Sequence, residues 1–465
     1  MQFLYILLAI LIFGVLIFIH ELGHFIVARL CGVQILEFAI GMGPRLVSKK
    51  SKKSGTVYSL RAFPIGGFVS MLGENGMEAV QGSADGKGTE VVNGEVPVET
   101  EDASAEEKTE GGDEELLSSD PHAYCNQSVW KRILISVAGP AMNVVLGFIL
   151  MFVMVCSAGH SALGTNQIAG FTVTYCGEDY QGLQKGDTVY SFDAPDDKSR
   201  IRSFASFKEA VLADEDHIFN LYVLRYDEEK GTSELKLLEN VVLDEKTVSN
   251  PAYFKMAGTE ASGLMIEDKI VKVNSTSVHT YNELAYEVMN QGYKPMTFTV
   301  IRGGEKMNLD ITVREMTEEG VVLGELDFII YREAKFDFPT IIKHTWFRSC
   351  STVKMVFDSL IGLFSGRFGM EAVSGPVGIT KTVSDAAQMG WLNVLYLVTV
   401  ISINLGVMNL LPFPALDGGH LLIYLIEVIR RKPMKQEIEG MINFAGLLIL
   451  LALAIFVAIK DIISL

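Results

Sequence analysis

The feature that most restricts the fold of this chain is an apolar stretch, residues 3–28, that a single polar cluster interrupts. Residues 3–19 carry no charge, and the cluster that follows reads HELGH. An uncharged run of this length predicts a helix that crosses a bilayer. His20 and His24 would lie on one face of that helix, one turn apart. This spacing lets both imidazoles bind one zinc ion, with Glu21 beside them as general base.

A chance match has to be weighed against this interpretation. Five-residue motifs recur by accident, and a lone histidine on an apolar helix usually has only a packing role. A charged side chain within a span costs roughly 2.5–3.5 kcal/mol on insertion scales, so ionisable residues there are usually functional. The position of Glu21 inside an apolar helix therefore favours the metal-site interpretation.

Composition indicates an integral membrane protein with more than one domain. The chain has 465 residues, 49% of them hydrophobic, and a mean hydropathy of +0.29. The first apolar run is too long for the core of a signal peptide, so it is predicted to be retained. Five scattered cysteines without a Cys-x-x-Cys pair indicate neither a disulfide framework nor a zinc–thiolate site.

The net charge of −17 is concentrated in one segment. Residues 74–120 hold 15 acidic residues and two lysines, a net charge of −13, and few aromatic residues. Such a composition cannot bury enough apolar surface to fold, so residues 74–125 are predicted to be a disordered acidic linker. The acidic balance also argues against nucleic acid as a partner.

Four membrane spans are predicted, at residues 1–34, 128–160, 388–431 and 436–465. Basic residues follow the first span, precede the second and separate the third from the fourth, which places those ends in the cytoplasm. The third span is interrupted at residues 412–419, and broken helices in membrane proteins belong at binding sites. In the second span, Asn143 is interpreted as an interhelical hydrogen-bonding residue or a neighbour of the metal.

Residues 55–73 are predicted to form a β-hairpin around the turn sequence PIGG at residues 64–67. The segment is apolar, and its apolar and polar residues alternate poorly. A soluble hairpin and a hairpin that enters the membrane beside the site both remain open. Residues 336–387 have apolar side chains at helical spacing with basic ones among them, which is typical of an amphipathic interfacial segment.

Two similar units, predicted at residues 165–247 and 248–332, occupy the polar middle of the chain. Each has a Gly-Leu pair followed by an aspartate, then a helix and a strand, and the pattern recurs about every 80 residues. This block resembles PDZ domains, which bind extended peptides at a sheet edge. The alternative is a pair of small β-rich domains without a ligand.

A zinc site of this kind needs a third protein ligand and an open position for water. Asp417 is the candidate carboxylate at the matching depth, because the first and third spans both run inward and carry polar residues near their cytoplasmic ends. The alternative is a turn residue ahead of Gly418 and Gly419.

The HELGH sequence and the later NLLPFPALDG sequence, residues 409–418, together resemble the site-2 protease family of intramembrane metalloproteases. The resemblance covers nearly the whole chain except the acidic linker. It implies Zn²⁺ as cofactor, His20, His24 and Asp417 as ligands, and Glu21 as base. Substrate contacts are expected from Asn404, Asn409, Gly66 and Gly67, although a helix-packing role for Asn404 remains open.

The fold expected from these features is a polytopic α-helical membrane protein with four spans, a tandem pair of extracytoplasmic PDZ-like α+β domains and a membrane-associated β-hairpin. The resemblance implies an inner-membrane endopeptidase that cuts the spans of single-span membrane proteins. An anti-sigma factor, trimmed first by a site-1 protease, and remnant signal peptides are the expected substrates. The rival interpretations are a zincin with a soluble active site and a membrane scaffold without activity.

Overall fold

The computed structural model describes residues 2–74, 120–227, 232–291, 294–313, 326–367, 369, 373–432, 434 and 436–463. The chain divides into two compact units, one made of Met1–Met154 with Thr352–Leu465 and the other of Val155–Ser351. Within the described residues, four helices are long and apolar enough to cross a membrane: Leu4–Leu30, Val129–Ala162, Trp391–Asn409 and Ile438–Asp461. The chain is therefore a polytopic membrane protein, as predicted.

The elements follow one another in this order. The first are α1 (Gln2–Leu30), β1 (Ile35–Lys50), β2 (Val57–Met71) and α2 (Val129–Ala158). The middle of the chain contains β3 (Gly164–Phe171), β4 (Val173–Tyr175), β5 (Thr188–Phe192), α3 (Phe204–Ala213), β6 (Ile218–Asp227), β7 (Thr232–Val242), α4 (Glu245–Val248), β8 (Phe254–Met256), α5 (Gly258–Ala261), β9 (Lys269–Val273), β10 (Thr276–Ser277), α6 (Tyr281–Gln291), β11 (Met296–Arg302), β12 (Glu305–Ile311) and β13 (Phe328–Arg332). The last are α7 (Phe338–Phe364), α8 (Pro376–Gln388), α9 (Trp391–Asn409), α10 (Asp417–Arg430) and α11 (Gln436–Ile463).

Small residues let the long helices of the first unit approach closely. A Cβ atom on Gly23 of α1 would lie 2.4 Å from the carbonyl oxygen of Ala138 in α2. A Cβ on Gly406 of α9 would lie 2.7 Å from the carbonyl oxygen of Pro140, also in α2. Backbone contact of this kind is how helices associate in lipid, where there is no hydrophobic driving force between them. Helix α2 thus contacts both α1 and α9, the helices that carry or precede the predicted ligands.

The β-hairpin exists, but its predicted bounds were wrong. Residues 57–71 form one strand, β2, which pairs with β1, and the chain reverses at residues 51–56, where the Ser51 N–H donates to the Thr56 carbonyl. Both strands bend, so residues 35–40 pair with residues 67–71 on one side and with 57–60 on the other. Gly66, at a φ of +91°, lies within β2 and does not form the predicted turn. Strand β1 escaped prediction because its second half lacks the alternation of a half-buried strand.

The predicted acidic linker falls mostly outside the described residues, since residues 75–119 are not among them. The predicted end of this linker, at residue 125, is too far along the chain. Residues 120–125 bind both ends of the β-hairpin: the Gln34 N–H donates to the His122 carbonyl at 3.0 Å, and the Tyr124 N–H to the Leu72 carbonyl at 2.7 Å. These bonds belong to the folded first unit.

The two repeat domains are nested, which corrects the predicted boundaries at residues 165–247 and 248–332. One sheet has the order β7-β6-β5-β4-β8, and the other has the order β12-β11-β9-β3-β13. Strand β3 therefore belongs to the second repeat domain although it precedes the first, and β8 belongs to the first. The first repeat domain is an insertion after β3. The sequence pattern missed this because β3 lies upstream of both Gly-Leu blocks.

The repeated sequence block has the same structural role in both domains. Asp268 accepts hydrogen bonds at 2.6 and 2.7 Å from Arg302, whose Nη2 also donates to the Gly263 carbonyl. In the first repeat domain, Asp187 and Arg225 form the same bidentate pair at 2.7 and 2.8 Å. Bidentate pairs of this type fix geometry as well as adding energy. Each aspartate therefore fastens its turn to a later strand.

We expect Asp268→Ala to destabilise the second repeat domain by about 1.5–3 kcal/mol, because it removes charge-assisted hydrogen bonds from a buried site. Hydrogen exchange of the full-length chain should show faster exchange across β9 and β11. Asp216→Ala, at an exposed position, is the matched control. Equal protection in both variants would show that the Asp–Arg pair contributes nothing measurable.

The third predicted span is broken, and the break lies two to three residues earlier than the predicted residues 412–419. Helix α9 ends at Asn409, residues 410–416 are not helical, and Asp417 starts α10. The loop folds closely against the start of α10, so these positions have no room for a side chain. A Cβ atom would lie 2.1 Å from the Leu411 oxygen at Gly418 and 2.4 Å from the Phe413 oxygen at Gly419. The predicted interfacial segment 336–387 contains α7 and α8, and its place at the membrane surface stays a prediction.

Candidate metal centre

Three predicted ligands meet in the first unit. His20 and His24 lie one turn apart on α1, and their Nε2 atoms are 3.2 Å from one another. Asp417, at the start of α10, places Oδ2 3.1 Å from Nε2 of His20 and Oδ1 3.4 Å from Nε2 of His24. The two histidines are 7% and 8% exposed. The structure thus brings together groups that are 393 or more residues apart in the chain.

These separations fit a zinc ion. Zinc bonds of ~2.0–2.1 Å to nitrogen and oxygen put the ligand atoms of a tetrahedral site about 3.3 Å apart. The three observed separations of 3.1, 3.2 and 3.4 Å match the edges of such a tetrahedron. Two imidazoles and one carboxylate leave one position open, which is the arrangement of catalytic zinc sites.

The outer nitrogens of both histidines contact helix α2. Nδ1 of His24 donates to the carbonyl of Ile135 at 2.8 Å, which leaves Nε2 as the free ligand nitrogen. The side-chain amide of Asn143 lies 3.2 Å from Nδ1 of His20, and Asn143 is fully buried. Its Oδ1 has no partner among the described residues. A half-turn of the amide makes Oδ1 the acceptor for an Nδ1–H of His20, the tautomer that zinc binding at Nε2 requires.

Gly139 leaves the space in which an ion would sit. A Cβ atom at this position of α2 would lie 2.3 Å from Nε2 of His24 and 2.8 Å from Nε2 of His20. Only glycine therefore keeps the ligand nitrogens accessible from this side. This role of Gly139 was not predicted from the sequence, although the small residues of the GPAMN sequence at residues 139–143 are typical of a close approach of helices.

We expect Gly139→Ala to lose most bound zinc, because the added methyl group occupies the coordination space. Inductively coupled plasma mass spectrometry of the purified protein measures this loss directly. Gly440→Ala is the matched control, since Gly440 is also helical and a Cβ there meets no atom within 4 Å. Stoichiometric zinc in Gly139→Ala would contradict the assignment of this space to the ion.

The β-hairpin borders the predicted base. The carboxylate of Glu21 lies beside the backbone N–H of Val69 in β2. A Cβ atom on Gly67 would lie 3.4 Å from Cγ of Glu21 and 2.9 Å from the Ala39 oxygen. The edge of residues 67–71 therefore runs directly beside the metal centre, which is one of the two placements that the sequence left open.

A cavity of about 500 Å³ opens from these residues. Glu21 and the three predicted ligands line it together with Asn409, and its walls continue to a buried ion pair of Arg132 with Glu427 at 2.7 Å. Of the other predicted substrate contacts, Gly67 lies beside Glu21, and two lie elsewhere. Asn404 is exposed on α9 and does not line this cavity among the described residues, and Gly66 packs against Met42.

Comparisons with known proteins agree with this chemistry. The family model described as peptidase family M50 matches residues 8–453. A putative zinc metalloprotease of Clostridium acetobutylicum is 29% identical over 468 residues, which cover 100% of this chain and 98% of the relative. The regulator of sigma-W protease RasP of Bacillus subtilis is 27% identical, with 97% of each chain covered. The probable protease eep of Enterococcus faecalis is 26% identical, again with 97% of each chain covered.

Proposed function

The chain belongs to peptidase family M50, and we propose that it cleaves membrane-spanning segments of other proteins within the bilayer. It is a zinc metalloprotease of the site-2 type. The observation that carries the finer proposal is the position of the metal centre. His20, Glu21 and His24 lie inside Leu4–Leu30, a helix apolar enough to span the membrane. A scissile bond must reach that depth to be cut.

The residues have separate tasks in the reaction. His20, His24 and Asp417 would hold zinc, which supplies Lewis acidity that makes water nucleophilic at neutral pH. Glu21 takes the proton of the attacking water and returns it to the leaving amine. The Asn409 amide, on the cavity wall, donates to the carbonyl oxygen of the scissile bond as negative charge develops there.

A substrate helix has to unwind before it can be cut, because its own hydrogen bonds cover the peptide groups. The edge of residues 67–71 lies beside Glu21 and offers backbone groups to an extended strand. Gly67 keeps this edge free of a side chain next to the base. The unwound segment would therefore add to the β-hairpin as a further strand.

A cleavage assay tests this proposal. Purified protein in nanodiscs is given a single-span protein, and the products are sequenced by mass spectrometry. We expect cuts within the apolar segment. Cuts confined to soluble loops would favour a zincin with a soluble site, and bound zinc without any cleavage would favour a scaffold.

The two repeat domains would act as a PDZ-like filter outside the cytoplasm, in a protein of the inner membrane. Their shared Asp–Arg pairs and their longer α-helices of 10 and 11 residues support the PDZ-like assignment. The relative named as a regulator of sigma-W protease supports an anti-sigma factor as substrate, cut after a site-1 protease has trimmed it. Remnant signal peptides, which lack large soluble domains, are a second substrate class.

We expect a single-span substrate with its soluble domain removed to be cut several-fold faster than the intact protein. A bulky domain would meet the filter before its span reaches the site. Gel-based rates for both forms with the full-length enzyme measure the ratio. Equal rates would exclude the filter and leave the intramembrane cleavage itself untouched.

A further inference from the structure

The outer part of the β-hairpin, separated by one strand from the edge of residues 67–71, is largely exposed. We call residues 42–63, which include the second half of β1 and the first half of β2, the basic ribbon. Every residue from 42 to 50 is exposed. Its apolar side chains are exposed by 38–65%: Met42, Leu46, Val47, Tyr58, Leu60 and Phe63. An apolar patch of this extent on a described surface normally contacts lipid or another protein.

Charge along the ribbon is of one sign. Residues 38–73 contain six basic residues and no acidic one. The two arginines at the base are paired, because Glu37 accepts from Nη2 of Arg45 at 2.6 Å and from Nη2 of Arg61 at 2.9 Å. The other four of the six basic residues lie at the tip of the ribbon, around the chain reversal.

The four lysines at the tip have no partner of this kind. Lys49, Lys50, Lys52 and Lys53 are exposed around the chain reversal. No hydrogen bond or ion pair joins their side chains to any residue that the structure describes. The ribbon therefore changes from apolar at its base to strongly cationic at its tip.

The cationic tip of the ribbon lies level with the start of β1. Tyr58 pairs with Phe38 on one side and with Lys49 on the other, so Lys49 lies two strands from Phe38 and level with it along the strands. The ring of Phe38 is 5.1 Å from that of Phe25 on α1. The chain reversal at residues 51–56 is therefore level with the first residues of β1, which begins five residues after the end of α1. The tip lysines thus lie near the end of a membrane-spanning helix, where the span meets the head-group layer.

We propose that the tip lysines of the basic ribbon bind the head groups of anionic phospholipids. Charge complementarity and continuity with a spanning helix both favour this occupant, since juxtamembrane lysines are attracted by anionic membrane surfaces. Tyr58 pairs with Lys49 across the two strands, at the level where aromatic side chains settle in the interface. Lipid contact at the tip would hold the hairpin, and with it the Val69 contact to Glu21, at a fixed depth.

Lysine labelling of the full-length protein in nanodiscs tests this proposal without any proteolysis. The probe is a water-soluble acylating reagent, applied in zwitterionic phosphatidylcholine discs and in discs with added phosphatidylglycerol. We expect the four tip lysines to react several-fold more slowly in the anionic discs, with Lys185, Lys236, Lys246 and Lys255 of the repeat domains as unchanged references.

A variant series provides the matched control. Replacement of the four tip lysines by Gln should reduce binding of a fluorescent phosphatidylglycerol to the detergent-purified protein by at least tenfold, because the attraction of each lysine to the anionic head group is lost. Replacement of the four reference lysines by Gln should leave binding unchanged, and full zinc content reports that both proteins are folded. Equal labelling rates of the tip lysines in both kinds of disc would overturn the lipid assignment. If these equal rates are slow and rise only at high salt, an acidic protein segment covers the tip.

Discussion

Glu21→Gln is expected to abolish peptide cleavage while the protein keeps its zinc. The amide cannot accept the proton of the attacking water or return one to the leaving amine, and a positioned acid–base group contributes about 10²–10⁴-fold to rate. We expect the loss to lie at the upper end of this range, because Glu21 serves both proton transfers. Cleavage of a single-span substrate in nanodiscs, measured with metal content on the same sample, provides both numbers.

The control for this variant is Glu245→Gln, an exposed site in the first repeat domain that should change neither quantity. Retained turnover in Glu21→Gln would remove the base assignment. Loss of both turnover and zinc would show that Glu21 contributes to the metal centre itself, beyond its contact with Val69.

Asp417→Ala should lower bound zinc from one per chain to a small fraction. Two histidines on one helix turn would remain, and zinc sites in proteins use at least three protein ligands. Asp417→Asn keeps an oxygen donor without the charge, so its zinc content should fall between that of Asp417→Ala and the wild type. Competition with a chelating dye gives the affinities of all three proteins.

Asp385→Ala in α8 is the matched control, because this aspartate is exposed and distant in sequence from the predicted ligands. Stoichiometric zinc in Asp417→Ala would exclude it from the ligand set. The pairing of Oδ1 and Oδ2 with the two histidines would then be a hydrogen-bonded contact without metal.

Much of the site was predictable because its residues follow local rules. The helical spacing of His20 and His24 places both on one face, and the shared depth of two inward-running spans pointed to Asp417. Contacts of α2 were not predictable in this way. Gly139 matters only because two helix backbones meet at that point, and Ile135 contributes a carbonyl group that every residue type possesses.

The fold shows the same division between local and long-range information. Four apolar runs and two similar blocks were readable from periodicity. Strand β1 was not predictable, because residues 42–50 are all exposed and show no alternation of buried and exposed positions. Its pairing also depends on the bends in both strands. The nesting of the repeat domains depends on β3 pairing with β9, about 100 residues later, which no local pattern reports.

X-ray absorption spectroscopy at the zinc edge of the purified protein tests the central claim most directly. Ligation by His20, His24 and Asp417 predicts a first shell of nitrogen and oxygen at ~2.0–2.1 Å with outer-shell scattering from two imidazoles. The same spectrum from Asp417→Ala should lose this shell along with the metal. A sulfur shell at ~2.3 Å, or a wild-type spectrum without imidazole scattering, would contradict the account.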